Sequence, residues 1–264
     1  MKKTLLLLVL GLLAVVSACG QHMEEKRSLE PFSVINVAGS IDLVYEQGNS
    51  YGVRLSGSAG AIESLDVRVK GKSLNICRKD YEPDGFGGVY IESEKKAELL
   101  DVTVYVTSPD ITTINKTGSG TVRAERIATR SLTFNSAGSG LLKVGRLSAD
   151  KVSLNMAGSG KIDAGKVKAK TVNMSLAGVG EIEAHVAEAS SLSCSAIGMG
   201  VISVSGSVDR YSKAVIGGGS INDSSLKYAT MTNSTMTNST IYNNLDGSLY
   251  NELPRTVDGI VVNP

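Results

Sequence analysis

From residue 111 to residue 225 the apolar positions of this chain recur with a period of two inside a longer period of twenty. Superposing the sequence on itself at a shift of 20 aligns Thr117-Gly118-Ser119-Gly120, Ala137-Gly138-Ser139-Gly140, Ala157-Gly158-Ser159-Gly160, Ala177-Gly178-Val179-Gly180 and Ile197-Gly198-Met199-Gly200. A looser sixth copy begins at Gly217-Gly218-Gly219, and the cadence already appears as Ala38-Gly39-Ser40-Ile41-Asp42. Two residues past each glycine pair stand Val122, Leu142, Ile162, Ile182 and Ile202, and two further on Ala124, Val144, Ala164, Ala184 and Val204. A second alternating run passes through Leu132, Val152, Val172 and Leu192, then Phe134, Leu154, Met174 and Cys194. Alternation means strand, and a fixed period of this length means a solenoid whose units bury an apolar face only by stacking. Each unit therefore predicts a coil of at least two short strands with glycine corners. Stacked about 4.8 Å apart, the coils form an all-β parallel β-helix.

Residues 31–110 alternate less regularly, with strands expected over 32–46, 51–56, 65–78 and 99–107 and a loop or hairpin over 79–96. They read as irregular early coils, or a cap on the 111–225 stack, since a bare solenoid end exposes unpaired strand edges. Residues 226–264 read as a last coil or C-terminal cap; within them 230–240 repeats with a period of five. At the other end, Lys2 and Lys3 precede an apolar run over 5–16 and the small residues Ser17 and Ala18. This is the layout of a secretory signal, too short to persist as a membrane span. Val16-Ser17-Ala18-Cys19 resembles a bacterial lipobox, which implies removal of residues 1–18 and acylation of Cys19, leaving 19–30 as a flexible tether. Two or more acyl chains anchor a protein stably. The alternative is a soluble export signal that leaves Cys19 as a thiol.

Composition narrows the function classes. Without residues 1–18 the chain carries 25 basic against 26 acidic residues, so a phosphate-backbone binder is not expected. Trp is absent and there are only 9 Tyr and 3 Phe, too few for aromatic stacking platforms. Cys77 and Cys194 remain beyond the anchor. An oxidising compartment would permit a bridge, but Cys194 falls on an inward position and reads as a buried small hydrophobe.

The lipobox, the stretches Phe32-Ser33-Val34-Ile35-Asn36-Val37 and Gly39-Ser40-Ile41-Asp42-Leu43, the Gly-Ser-Gly register and Gly217-Gly218-Gly219-Ser220-Ile221-Asn222 together resemble the head-GIN domain family of Bacteroidetes lipoproteins over residues 31–225. The resemblance implies a right-handed β-helix and an auto-transporter adhesin role. It supplies no catalytic residue to carry over.

The outward positions of the second strand form two polar columns, Thr113, Thr133, Ser153, Asn173 and Ser193, then Asn115, Asn135, Asn155, Ser175 and Ser195. Such columns either present a flat surface to sugar hydroxyls or satisfy one another along the stack. The outward column of the first strand reads Arg123, Lys143, Asp163, Glu183 and Ser203. It is either a solvated face or, with Glu181, a calcium cluster of the kind used by polysaccharide lyases, Lys161 or Lys143 supplying the base. His22 sits in the tether and His185 stands alone, so neither a histidine metal site nor a Ser-His pair is expected. Gly71-Lys72-Ser73 lacks the first glycine of a phosphate loop and reads as a hairpin turn, and the Gly-x-Gly pairs lack the third glycine of a dinucleotide site. No cofactor is expected. The expectation is a non-enzymatic, lipid-anchored protein of the cell envelope, attached to the outer membrane through Cys19 and facing the surface or the periplasm. At the surface it would act as an adhesin for a glycan or matrix component; in the periplasm, as a scaffold or sensor for an envelope protein. A polysaccharide lyase is the third reading.

Overall fold

The computed structural model describes residues 22–79, 102–236 and 261–262. Of these residues 78% lie in strands and 3% in helix, and the chain winds a β-solenoid of about six turns. Each turn has a front strand and a back strand that meet at a glycine corner.

The first turn is built from β2 (Val34–Ala38) on the back and β3 (Asp42–Gln47) on the front. The next is built from β8 (Thr113–Thr117) and β9 (Thr121–Ala128), which stack directly on β2 and β3 although 79 residues separate Val34 from its partner Thr113. The cadence at Ala38-Gly39-Ser40-Ile41-Asp42 is thus a true turn of the solenoid, and the chain between β3 and β8 is an insertion. The regular stack continues through β10 (Ser131–Gly138) and then the long strands β11 (Leu141–Gly158), β12 (Lys161–Gly178), β13 (Glu181–Gly198), β14 (Val201–Gly217) and β15 (Ser220–Met236), each running from the front to the back. All these neighbours pair in parallel, mostly at an offset of 20 residues, as in Leu142↔Ile162 and Val152↔Val172.

The insertion closes the N-terminal end. It contains β4 (Gly52–Gly57), the short α1 (Ala59–Glu63), β5 (Leu65–Lys70), β6 (Ser73–Arg78) and β7 (Val102–Ser108). β6 lies parallel to β2 and β7 parallel to β3, so a turn late in sequence sits outside the first turn in space. Antiparallel partners finish both edges: β5 beside β6, β4 beside β7, and β1 (Met23–Ser28) beside β4. The sequence pattern places a tether over 19–30, whereas residues 23–28 form this outermost strand. Glu24 pairs with Arg54 at 2.8 Å and Glu25 with Arg27 at 2.7 Å. A charged edge strand deters further pairing, and the same charges hide it from a hydrophobicity pattern. The helix is likewise absent from the sequence pattern; Ser58 caps it by accepting from Ala61 N at 3.3 Å, and it buries Ala61 and Ile62. The turn at Gly71 is a hairpin, with Lys70 paired to Ser73 and Gly71 at φ 62°.

The core is a set of columns. The front supplies Leu43, Val122, Leu142, Ile162, Ile182 and Ile202, and the back Ile35, Ile114, Phe134, Leu154, Met174 and Cys194, all buried. A third inward column, Ile127, Leu147, Val167 and Val186, lies past the bend of each turn, outside the two alternating runs that the sequence displays. Gly118, Gly138, Gly158, Gly178, Gly198 and Gly217 all have φ between 102° and 124°. A Cβ on Gly158 would come within 2.6 Å of the Gly138 carbonyl oxygen, so both conformation and spacing exclude a side chain at the corner. At the last turn the core turns polar, where Lys213, aligned with Cys194, bonds Asp223 at 2.7 Å beside buried Tyr211. β15 crosses the boundary expected at residue 225. Beyond it β16 (Val261–Val262) pairs antiparallel with Met231 and Thr230. The expected signal and Cys19, most of the 79–96 insertion, and 237–240 lie outside the described residues.

Candidate functional site

The ten polar residues expected as a binding surface do gather on the back of the stack. Thr113, Thr133, Ser153, Asn173 and Ser193 fall in one register column, and Asn115, Asn135, Asn155, Ser175 and Ser195 in the next. The asparagines bond to one another. Asn155 Nδ2 donates to Asn135 Oδ1 at 2.8 Å, Asn135 to Asn115 at 2.7 Å, Asn115 to Asn36 at 2.7 Å, and Asn36 to Asn75 at 2.8 Å. Parallel in-register stacking puts identical amides one strand spacing apart, where each carbonyl meets the next N–H. The chain of bonds runs five asparagines deep and includes Asn36 and Asn75, which the 20-residue shift does not reveal. It ends where Asn155 meets Ser175. Ser175 and Ser193 are the exposed members of the two columns.

On the front, the acidic column is neutralised from the neighbouring turns. Lys143 Nζ lies 3.2 Å from Asp163, and Lys161 Nζ sits between Glu181 at 3.2 Å and Glu183 at 3.0 Å. The two glutamates hold the Lys161 ammonium above the usual lysine range, chiefly through the bond to Glu183. Among the described residues no group of three acidic, histidine or cysteine side chains is placed to hold a metal ion.

A groove of about 260 Å³ opens beside this column, lined by Asp163, Glu183, His185, Ser203, Ser205, Asn222 and Ser224 among others. It forms where the register slips. Between Asp163 and Lys166, Gly165 is one residue more than β13 has opposite; Gly165 N donates to Asp163 Oδ1 at 3.1 Å, and Ala187 restores the register. Two turns on, β15 carries one residue more than β14 between Asn222 and Ser225, and Asn222 Oδ1 accepts from Ser224 Oγ at 3.0 Å. Bulges bend a strand and re-aim its side chains. Here they turn a flat stack into a concave strip of hydroxyl, amide, imidazole and carboxylate groups. His185 is not alone: stacking brings Ser205 Oγ to 3.0 Å from its Nδ1. The 20-residue shift carried that signal, since it sets His185 opposite Ser205; the insertion at Gly165, compensated at Ala187, left no mark on the glycine period, whereas a second slip, between Val186 and Ala189, shows as the 19-residue step from Gly198 to Gly217.

The family described as "Putative auto-transporter adhesin, head GIN domain" matches residues 31–186 and 163–254. The chain belongs to this family. It is one of adhesins, proteins associated with the cell surface or envelope, and its description names no enzymatic activity. A crystal structure of a "putative adhesin" from Bacteroides fragilis is similar at 21% identity, with 83% of this chain and 96% of that one covered and a TM-score of 0.66. Another "putative adhesin", from Parabacteroides distasonis, is 21% identical over 83% of this chain and 94% of that one, at a TM-score of 0.59. At such identity the likeness establishes the solenoid fold. No curated protein matches the chain.

Proposed function

We propose that this head-GIN adhesin is exported, lipid-anchored at Cys19 on the outer membrane, and binds a surface or matrix glycan in the front groove. The observation that carries the reading is the groove itself. Its bulged strands set Glu183, His185, Ser205, Asn222 and Ser224 around one concavity, while the asparagines of the back ladder are occupied with one another. Carboxylate and amide groups in such a strip accept and donate to vicinal hydroxyls, and with aromatic rings scarce the affinity comes mainly from hydrogen bonds. Ser175 and Ser193 offer a second line of hydroxyls on the back. The Lys161 bridge to Glu181 Oε2 and Glu183 Oε2 favours binding over lyase chemistry, because the ammonium neutralises the carboxylates that a calcium cluster would need while each keeps its second oxygen as an acceptor. A glycan array with the acylation-site-free mature chain tests this. Binding should appear and should fall at least tenfold in Glu183→Ala and His185→Ala with the melting temperature unchanged. A blank array at micromolar protein refutes it. Protease shaving of intact cells tests the address: release of peptides from 111–210 is expected, and their release only after lysis would favour the periplasmic scaffold.

A further inference from the structure

Charged residues on the solenoid mostly meet an opposite charge on the next turn: Lys143 meets Asp163, Lys161 meets Glu181 and Glu183, Lys168 meets Glu188, and Lys170 meets Asp150. The front strands depart from this at their bend. There the register sets Arg126, Arg146 and Lys166 in one row, like charge on like over three successive turns. All three are exposed, and among the described residues none of them forms an ion pair. Arg123, which stacks on Lys143 in the neighbouring row, is also exposed and without an ion pair among the described residues. The unpaired carboxylates of this face, Glu46 and Glu125, stand at its N-terminal end, and the Glu125 position continues along the stack as Gly145 and Gly165. Like charges one strand spacing of about 4.8 Å apart repel, so the fold gains nothing from such a row. A polyanion laid along it would interact with all three cations at once.

The row also leads somewhere. Beyond Lys166 the register carries it to His185 and then Ser205, both on the wall of the front groove. A sugar polymer lying parallel to the solenoid axis thus meets hydroxyl, imidazole and amide groups in the groove and guanidinium and ammonium groups on the turns before it. The carboxylates of the groove do not bar an anion, because Lys143 offsets Asp163 and Lys161 offsets Glu183. We propose that the glycan bound in the front groove is acidic, a polymer bearing uronate or sulfate groups that engage Arg126, Arg146 and Lys166. The inference rests on the groove reading and names the class of its ligand. With 25 basic against 26 acidic residues beyond residue 18, the positive potential is local to this row. That suits a ligand that also needs the hydroxyl-binding groove better than it suits a nucleic-acid backbone, which draws on many cations.

Equilibrium binding of the full mature chain to polygalacturonate and to dextran sulfate, each beside its neutral counterpart (methyl-esterified polygalacturonate and dextran), tests it and separates uronate from sulfate. At least one acidic polymer should bind at least tenfold more tightly than its neutral counterpart, and raising the salt from about 50 to about 500 mM should weaken that binding. The double variant Arg126→Ser/Arg146→Ser should lower the affinity at least tenfold, with a melting temperature equal to or above that of wild type because a repulsion is removed. Lys151→Ser, which takes an exposed cation from outside the row, should leave the affinity within twofold. If the double variant binds like wild type while Glu183→Ala abolishes binding, the groove reading stands and the acidic assignment is overturned. Single-stranded DNA bound more tightly than either polymer would assign the row to nucleic acid and overturn it too. No binding to any of the four polymers or on the glycan array would overturn both readings together.

Discussion

Lys116 is a lysine in a column of apolar residues. It lies on β8 between Val37 and Ser136, two turns before Met156, and is 2% exposed. Its Nζ donates to the Gly118 carbonyl oxygen at 2.7 Å. Burial alone drives its ammonium below the usual lysine range, and no carboxylate opposes that shift. The perturbation is Lys116→Met, which keeps the length of the side chain and repeats a residue the same column already accepts. The Gly118 oxygen is not orphaned, because Gly140 N still reaches it at 3.3 Å. Replacing buried charge with a packed apolar side chain stabilises by roughly 1–4 kcal/mol in other proteins. One hydrogen bond to a charged group is lost, worth about 1.5–3 kcal/mol net, so the two nearly offset and a stability within about 1 kcal/mol of wild type is the central expectation at pH 7. The pH dependence separates this account from a mere packing effect. With its folded pKa below the unfolded value of about 10.4, the lysine binds fewer protons when folded across the window just beneath that value, so wild-type stability rises with pH there. The variant lacks that rise, and its stability relative to wild type should fall as pH climbs toward about 10.4. Urea unfolding at several pH values between about 7 and about 10.5 reads both quantities. A variant more than about 2 kcal/mol less stable than wild type at pH 7, or one with the same pH slope, would refute the reasoning.

The glycine corner should tolerate nothing larger: Gly158→Ala meets both φ 119° and the Gly138 oxygen at 2.6 Å, and should lower stability by about 2–4 kcal/mol in thermal melts. Gly71→Asn is the contrast, at φ 62° with nothing within 4 Å of a Cβ, and should cost under about 1 kcal/mol. Asn135→Leu removes the middle of the amide ladder and leaves Asn155 without its acceptor and Asn115 without its donor; a loss of about 1–3 kcal/mol is expected, with glycan binding intact if the front groove is the contact. Burial pushes the Cys194 thiol up to about 12, so iodoacetamide at pH 8 should leave it unmodified in the folded chain and label it only in denaturant, as peptide mass spectrometry would show.

The regular stack was legible because each coil repeats its apolar positions at a constant offset, and parallel pairing turns a constant offset into columns. The same logic fails at the N-terminal end. Val34 pairs Ser73 at an offset of 39 and Asp42 pairs Thr103 at 61, and the antiparallel partners have no fixed offset at all. β6 and β7 are separated in sequence by residues 79–101 and not by a short corner at the 20-residue spacing, so the glycine register does not mark them as a turn of the solenoid. β1 is illegible for a different reason: its charges protect an edge, and the features that prevent further pairing also erase the alternation.

For the site, the sequence places the columns, while the geometry decides which column is available. A column of asparagines looks like a surface for ligands until its amides are seen bonding turn to turn, from Asn155 down to Asn75. A lone histidine looks inert until stacking supplies Ser205. What separates the two faces is regularity. Identical residues in perfect register saturate one another, so an undisturbed ladder spends its hydrogen-bonding capacity internally. A bulge breaks the register, leaves neighbouring turns with unlike side chains at unlike heights, and so re-aims donors and acceptors around a concavity. In a solenoid of this kind the place to look for recognition is therefore where the repeat is violated. Gly165 and the extra residue between Asn222 and Ser225 bring two such violations to the front, and the groove they border is both concave and polar, which the unbroken ladder on the back is not.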